Sequence, residues 1–449
     1  MSDLAPVSSH ALEPGVPVSA DPAKAVPHVI AWNLTQRCNL ACSHCYISAG
    51  SWHSAKGELS TAEVKRIGAE ILELNPAPLF ILSGGEPLVR NDLEEIAAFL
   101  HAGGATVVVG TNGIGLTTER IRSLQSAGVT GVAVSIDSLD ATYHDRFRHG
   151  EGALEDTLAA IGRLQEEGLD FIVQTTLTKG NREELDELVA WSLEQGAVSF
   201  NLYFLVETGR GSGMSGLTPE ENEAVLERLV ELQQEHHGQM MVRSKCQPQI
   251  MRVAHQKSPE SALLSAETRC PCGIHYCRIT PEGKLTPCPY LPTECGDLRR
   301  ESFADVWRES TLLQSLRRRE LGGKCGSCEY RYTCGGCRAR AQAESGDPLA
   351  AIESCLHEPA PDAVPITSAA SVRLGESHEL ELCWTPEASE RMKRIPSFVR
   401  GVVTGRVETH AKSLGLTEIT VEFLDQVRRD LPVDFSKRLP FFLRRKKGD

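Results

Sequence analysis

The sequence lacks the features that would assign it to a membrane, secreted or nucleic-acid-binding class. No apolar run approaches the ~20 residues that a membrane-spanning helix needs, so we expect no membrane span. The first residues show no basic stretch followed by an apolar one, as secretory signals do, which favours a cytoplasmic location. Basic charge is also in deficit: the net charge of −13 at pH 7 disfavours nucleic acid as a partner.

Cysteine, by contrast, is abundant. The 449 residues include 15 cysteines, in an otherwise ordinary composition with 41% hydrophobic and 24% charged residues. Without a secretory pattern, so many cysteines indicate metal or cluster ligands rather than a disulfide framework. The length suffices for two or three domains.

Short apolar segments alternate with amphipathic ones from residue 28 to about 205. One predicted helix, over 60–74, begins with Ser60 and Glu63 in the arrangement of a capping box. Strands separated by helices of this length form right-handed crossovers on a parallel sheet. We therefore predict an α/β fold, a partial barrel of six strand–helix units, with its chemistry at the carboxyl ends of the strands.

The rest of the chain divides by composition. The stretch over 218–257 is expected to be helical and polar, and Cys270–Cys355, with ten cysteines, to fold around metal. The predicted domains are a disordered leader (1–26), the barrel (27–237), a linker helix with a small cysteine-rich domain (238–360), a linker (361–380) and a small α-helical unit with a basic end, Lys437 to Lys447 (381–449).

Three cysteines lie together in "LTQRCNLACSHCY": Cys38, Cys42 and Cys45. Thiolates are the natural ligands of iron–sulfur clusters, and three ligands leave one iron of a four-iron cluster open to a small molecule. The alternative is a zinc loop that takes a fourth ligand elsewhere, for example His44.

Other motifs end later predicted strands: "SGGEP" (Ser83 to Pro87), "TNG" (Thr111 to Gly113) and "SID" (Ser135 to Asp137). Each alone is compatible with a simple turn or a capped helix start. Together with the cysteine triplet they resemble the radical S-adenosylmethionine (SAM) superfamily. That resemblance implies a [4Fe-4S] cluster on the triplet with SAM on its open iron. It also implies Gly84, Gly85 and Glu86 at the methionine end of SAM, and Asn112, Ser135 and Arg148 as further contacts, Ser135 towards the ribose.

The later cysteines resemble the SPASM extension of radical SAM enzymes, although "CGSCEYRYTCGGC" alone also suits a zinc ribbon. The resemblance implies two auxiliary [4Fe-4S] clusters. Cys272 competes with Cys270 for the first ligand position, and Cys337 follows Cys334 after two residues instead of the commoner three. Cys246, Cys295 and Cys383 are expected to be ordinary thiols. The implied ligand sets are Cys270, Cys277, Cys288 and Cys337 for the first cluster, and Cys325, Cys328, Cys334 and Cys355 for the second.

The phrases "ITPEGKLTPCPYLP" and "VETGRG" resemble the tetrapyrrole-processing branch, the enzymes of heme and heme d1 biosynthesis. The segment from Trp384 to about residue 420 resembles the small helical domain of light-independent protochlorophyllide reductase, although a generic helical appendage would share its apolar pattern. The resemblance implies radical modification of propionates on a heme-like tetrapyrrole, with reduced ferredoxin or flavodoxin as electron donor. Arg210 is a candidate partner for a propionate. The alternative function is a SPASM peptide maturase.

Overall fold

The computed structural model describes residues 25–259, 261–265, 269–366, 375, 378–393 and 395–430. Most of the predicted leader, the whole basic end and part of the predicted linker over 361–380 lie outside the described residues. Within the described ranges, no helix has the combined length and apolar character that crossing a bilayer requires.

One sheet of ten strands forms the centre of the molecule. Its strands are β1 (Val29–Asn33), β2 (Leu79–Ser83), β3 (Thr106–Thr111), β4 (Val129–Ser135), β5 (Phe171–Leu177), β6 (Ser199–Phe204), β7 (Met241–Lys245), β8 (Tyr276–Ile279), β9 (Lys284–Thr286) and β10 (Gly296–Asp297). The order across the sheet is β10-β9-β8-β1-β2-β3-β4-β5-β6-β7. Strands β1 to β7 are parallel, β8 joins β1 in parallel, and β9 and β10 return antiparallel.

Helices connect the parallel strands in the predicted alternation. They are α1 (Thr61–Leu74), α2 (Leu93–Ala102), α3 (Thr118–Ser126), α4 (Ala141–Arg148), α5 (Ala153–Glu167), α6 (Leu185–Glu194), α7 (Pro219–Glu235) and α8 (Ile250–Lys257). The capping box predicted for α1 is confirmed, because Ser60 accepts from the Glu63 backbone and Glu63 reaches back to the Ser60 backbone. The α/β class and the partial barrel are confirmed as well.

The two faces of the sheet differ because successive strand residues point to opposite sides. Each large apolar side chain buried on the helix side stabilises the fold by about 1.5–3 kcal/mol. The helix-facing residues include Ile30, Trp32, Phe80, Leu82, Val107, Val109, Val132, Val134, Val173, Phe200, Leu202 and Val242. The opposite, inner face is small or polar near the carboxyl ends of the strands: Asn33 pairs with Ser83, Gly110 with Ala133, and Ser135 with Gln174, which in turn pairs with Asn201.

The expectation of a wholly helical stretch over 218–257 is wrong for its middle part. Residues Met241–Lys245 form β7, which pairs with β6 and extends the barrel sheet. The segment "MVRSK" escapes recognition as a strand because charged residues occupy its inner face, where a buried strand would normally carry apolar ones.

The cysteine-rich region adds four short helices to the β8–β10 strands: α9 (Phe303–Glu309), α10 (Thr311–Arg318), α11 (Gly323–Ser327) and α12 (Arg338–Ser345). A second small core, built largely from cysteines, lies here beside Leu291 and Leu316. Other apolar side chains of this region join the main core, among them Ile279, Leu285, Leu298, Phe303, Val306, Trp307 and Leu313. The folding of this region around metal stays a prediction.

The C-terminal unit has its own core. It comprises β11 (Cys383–Trp384), α13 (Pro386–Lys393), α14 (Ser397–Ser413), β12 (Glu418–Ile419) and α15 (Val421–Asp430). The carboxylate of Glu408, 1% exposed, accepts hydrogen bonds from Trp384 Nε1 (2.8 Å), His378 Nε2 (2.8 Å) and the backbone of Glu381 and Leu382. This acid therefore ties α14 to the segment that leads into β11.

The C-terminal unit contacts the barrel at the amino-terminal ends of its strands. Ser397 Oγ lies 2.7 Å from His28 Nδ1 and accepts a hydrogen bond from Asn75 Nδ2 at 2.8 Å. The Ser397 backbone N–H donates to Ala77 O at 3.0 Å. His28 directly precedes β1 and Ala77 shortly precedes β2, so this contact lies opposite to the carboxyl ends of the strands.

Candidate iron–sulfur and SAM site

The loop after β1 carries the cysteine triplet. Cys38, Cys42 and Cys45 are all half-buried. The backbone N–H groups of Leu40 and Ala49 donate to the sulfurs of Cys38 and Cys45 at 3.4 and 3.3 Å. Burial, together with neighbouring Glu86 and the other thiols, raises the pKa of Cys38 to about 12. Thiolates in such a place require a metal cation to neutralise them.

The spacing of these thiols distinguishes a cluster from a single zinc ion. Ligands about 2.3 Å from a tetrahedral zinc lie ~3.8 Å from one another. Among the described residues, the groups of three or more ligand atoms within 4.8 Å of one another are Cys328–Glu329–His357 and His378–Glu381–Glu408. The triplet, with or without His44, is not such a group. Its wider spacing fits an iron–sulfur cluster better than the zinc loop.

Arg210 holds the triplet loop in place. Its guanidinium donates to Cys42 O at 2.8 Å and Ala49 O at 2.7 Å, and its backbone N–H donates to Cys45 O at 3.0 Å. The preceding Gly209 has φ +57°, and a Cβ there would lie 2.5 Å from Cys45 O. Because Arg210 is engaged with the loop, the structure does not support it as the partner of a substrate propionate.

The "GG" turn after β2 packs against the start of the same loop. A Cβ on Gly84 (φ +141°) would lie 2.4 Å from Thr35 O, and one on Gly85 would lie 2.2 Å from Arg37 O. The Gly85 N–H donates to Thr35 O at 2.7 Å. The glycines therefore permit a close approach between two protein backbones.

Glu86 joins the turn to the end of β3. Its carboxylate is 1% exposed and accepts from Thr111 Oγ1 (2.8 Å), Asn112 N (2.9 Å) and Leu88 N (3.0 Å). Burial raises the pKa of Glu86 to about 7. Asn112 in turn donates from Nδ2 to Asn39 Oδ1 in the triplet loop at 2.8 Å. Two predicted site residues, Glu86 and Asn112, thus lie together beside the triplet.

A buried ion pair lies on the other side of the loop. Arg148 Nη2 donates to Asp137 Oδ2 at 2.7 Å, and both side chains are almost fully buried. Burial raises the pKa of Asp137, but Arg148, His44, His144 and the Thr176 backbone N–H together outweigh burial and lower the pKa. His44 Nε2 lies 3.9 Å from the same carboxylate and its ring stacks on Phe147 at 4.6 Å. Burial lowers the pKa of His44 to about 4, so this imidazole is neutral.

Sequence reasoning named Arg148 but missed Asp137 as its partner. The signal was present, since an acid directly after a buried strand needs a cation if it is to be buried. Ser135, the expected ribose contact, ends β4 on the inner face and is half-buried, in register with Gln174. The structure thus brings the predicted SAM contacts to one edge of the sheet, around the triplet.

The first group of auxiliary thiols differs from the set that the sequence implied. Cys270 contacts Cys272 and Cys337, and Cys272 contacts Cys288. Cys337 contacts a fifth thiol, Cys246, at the end of β7. Cys272, Cys288 and Cys337 belong to one buried cluster, with Cys246 and Cys270 packed against it.

Cys277 does not join this group. Cys277 lies in β8 between Tyr276 and Arg278. Its side chain therefore points to the opposite face of the sheet from the side chains of Tyr276 and Arg278. It is fully buried in the main core, and its nearest ionisable neighbours are Cys295 and Arg317. The structure therefore does not support Cys277 as a ligand of the first auxiliary cluster. Cys272 instead lies with Cys270, Cys288 and Cys337.

The second auxiliary group agrees with the implied set. Cys325, Cys328, Cys334 and Cys355 line one pocket, together with Arg252 and Lys324. Backbone N–H groups of Ile352, Tyr330 and Gly336 donate to the sulfurs of Cys325, Cys328 and Cys334, each at 3.4 Å. Four thiols, N–H donors and cations around one cavity suit a metal cluster.

Three family models match the chain. The Radical SAM superfamily model matches residues 32–192, and an iron-sulfur cluster-binding domain, SPASM, matches residues 270–329. The model of the proto-chlorophyllide reductase 57 kD subunit matches residues 384–428. These matches confirm the resemblances drawn from the triplet, the later cysteines and the C-terminal unit.

Similar proteins extend this finding. The AdoMet-dependent heme synthase of Methanosarcina barkeri is 39% identical over 74% of this chain and 97% of its own length. The mycofactocin maturase MftC of Mycobacterium tuberculosis is 30% identical over 72% of this chain and 81% of its own length. The crystal structure of Streptococcus suis SuiB bound to S-adenosylmethionine has the same fold, with a TM-score of 0.60 and 15% identity over 74% of this chain and 78% of that chain. The chain belongs to the radical SAM superfamily: it is an enzyme that binds S-adenosylmethionine and iron–sulfur clusters and carries a SPASM domain.

Proposed function

We propose that this enzyme oxidatively decarboxylates propionate side chains of a heme-like tetrapyrrole. The observation that carries the proposal is the likeness to an AdoMet-dependent heme synthase over nearly the whole length of that relative. The match to a protochlorophyllide reductase subunit at the C-terminus is a second, separate link to tetrapyrroles.

The residues around the triplet suit the cofactors. Cys38, Cys42 and Cys45 would hold the [4Fe-4S] cluster, and the edge formed by Glu86, Asn112, Ser135 and Arg148 would hold SAM. When bound, these cofactors supply a 5′-deoxyadenosyl radical that abstracts a hydrogen atom. The protein's part is to position the reacting groups and exclude water: Arg210 fixes the loop, Glu86 orients Asn112, and the Arg148–Asp137 pair supports Cys42.

The substrate would react at the propionate carbon beta to the carboxylate. Loss of one hydrogen atom from that carbon, of the carboxyl group as carbon dioxide and of one electron would leave a vinyl group. The auxiliary cysteines would hold clusters that supply an acceptor for this electron, and reduced ferredoxin or flavodoxin would be the electron donor.

We propose two auxiliary [4Fe-4S] clusters with a revised ligand assignment. The second group keeps the implied cysteines, because all four line one cavity. In the first group Cys272 replaces Cys277, because Cys277 faces the main core. The proposed first set is Cys270, Cys272, Cys288 and Cys337, with Cys246 as an adjoining thiol.

The test is anaerobic turnover with SAM, a reductant and iron-coproporphyrin III or siroheme derivatives, followed by mass spectrometry. Loss of carbon dioxide and two hydrogens per modified propionate, in step with 5′-deoxyadenosine, is expected. A Cys42→Ala variant is the control and should form neither product. Formation of 5′-deoxyadenosine by the wild type with no change in any tetrapyrrole would overturn the proposed substrate class.

Peptide maturation is the second candidate, favoured by the likeness to mycofactocin maturase MftC. The same assay, run with small peptides encoded beside the gene, separates the two functions. A mass loss confined to a peptide would favour maturation, and a mass loss confined to the tetrapyrrole would exclude it.

A further inference from the structure

Two cations lie on the inner face of β7. Arg243 is in register with Asn201 of β6, and Lys245 is in register with Tyr203. Val242, which directly precedes Arg243, is 2% exposed and packs into the helix-facing core, so alternation directs Arg243 and Lys245 into the barrel. This is the edge strand of the sheet on the side away from β1.

Neither cation has an anionic partner among the described residues. The contact that the structure gives Arg243 is from Nη2 to Met241 Sδ, at 3.2 Å. The buried guanidiniums of Arg148 and Arg252, by contrast, pair with carboxylates at 2.7 and 2.5 Å. Burial, with the charge of Arg243 second, lowers the pKa of Lys245 to about 7. Two neighbouring cations inside a protein are unfavourable until an anion neutralises them.

The space beside these cations is accessible and aromatic. The Arg243 side chain is exposed, so a ligand can reach its guanidinium. The ring of Tyr290 lies 5.0 Å from that of Tyr46, next to the cysteine triplet, and 6.2 Å from that of Tyr203. A wall of three tyrosines thus runs from the triplet loop to the strand that neighbours Arg243 and Lys245.

We propose that Arg243 and Lys245 bind carboxylate groups of the substrate inside the barrel, while its flat ring system lies along the tyrosine wall. A guanidinium binds a carboxylate through two parallel hydrogen bonds, and an ammonium adds a point charge. The identity of the substrate as a tetrapyrrole rests on the proposed function. The place of these cations on the inner face of the barrel rests on the strand register alone.

The experiment measures binding of coproporphyrin III and of its fully esterified methyl ester to the cluster-loaded enzyme. The ester keeps the macrocycle and lacks the negative charges. Arg243→Gln and Lys245→Met are expected to weaken binding of the acid by about tenfold to a hundredfold each, since each removes a charge-assisted contact. Neither change should alter the weaker binding of the ester, and Arg243→Lys should restore part of the affinity for the acid.

Two exposed cations serve as matched controls. Arg300 and Lys393 have side chains 85% and 68% exposed, and Arg300→Gln and Lys393→Met should leave binding and turnover unchanged. Binding of the acid at wild-type strength by Arg243→Gln and Lys245→Met would overturn the inference, as would equal loss of acid and ester. If the wild type binds the acid through these cations but yields no decarboxylated product, the proposed function fails and the carboxylate site stands.

Discussion

The buried ion pair between Asp137 and Arg148 allows a sharp test of how the barrel supports the triplet loop. Replacing Asp137 with Asn keeps the shape of the side chain and removes its charge. Arg148 is 4% exposed and would then carry a positive charge without a partner beside Cys42. We expect Asp137→Asn to destabilise the fold and to weaken retention of the cluster on the triplet.

The magnitude follows from the burial of both groups. Breaking a buried pair by removing one partner costs about 3–5 kcal/mol, because the remaining charge is uncompensated. Asp137 also accepts a hydrogen bond from the Thr176 backbone at 2.7 Å, which the amide oxygen of Asn preserves. We therefore assign the expected loss of stability to the missing negative charge. Removing both charges in Asp137→Asn/Arg148→Met should be less harmful than the two single changes added together.

The measurement is urea unfolding under anaerobic conditions, with the iron content determined beside it. Asp186→Asn is the matched control: its side chain is 60% exposed and pairs with Arg228 at 3.0 Å, so we expect a loss below about 1 kcal/mol. The reasoning would be refuted if Asp137→Asn lowered the free energy of unfolding as little as Asp186→Asn does. It would also be refuted if the loss in the double variant equalled the sum of the losses in the two single variants.

Three further predictions follow from the close contacts. Gly85→Ala should abolish reductive SAM cleavage, because a Cβ there meets Arg37 O at 2.2 Å; normal 5′-deoxyadenosine formation would contradict it. Cys272→Ala should lower the iron content by about one cluster and Cys277→Ala should not, as Mössbauer spectroscopy would show; the reverse pattern would restore the original assignment. Glu408→Gln should increase hydrogen exchange within residues 381–430, since a buried acceptor of several hydrogen bonds is weakened, and leave the barrel unchanged.

The architecture of the barrel could be predicted from the sequence because it depends on patterns within short segments of the chain. Six apolar segments alternate with amphipathic helices, and features such as the Ser60–Glu63 capping box mark where a helix begins. The triplet and the "GG" turn follow neighbouring strands, so parallel pairing alone brings them to one edge. Their grouping around Glu86 and Asn112 is what the motifs predicted.

The features of the site that could not be predicted from the sequence depend on which face of a strand each residue occupies. The sequence alone does not show whether Cys272 or Cys277 is the better cluster ligand. The structure does, because the position of Cys277 in β8 directs its side chain into the main core. Strand β7 was missed because its inward residues Arg243 and Lys245 are charged, so the usual pattern of an apolar buried strand is absent. For the same reason Arg243 and Lys245 could not be recognised as site residues.

The attachment of the C-terminal unit through Ser397 has a practical consequence. The five residues of β1 separate that contact from the triplet loop by ~16 Å at ~3.3 Å per residue. A carrier or solid support attached to the C-terminal unit would therefore lie at the end of β1 opposite to the triplet loop. We expect an enzyme immobilised in this way to keep its turnover.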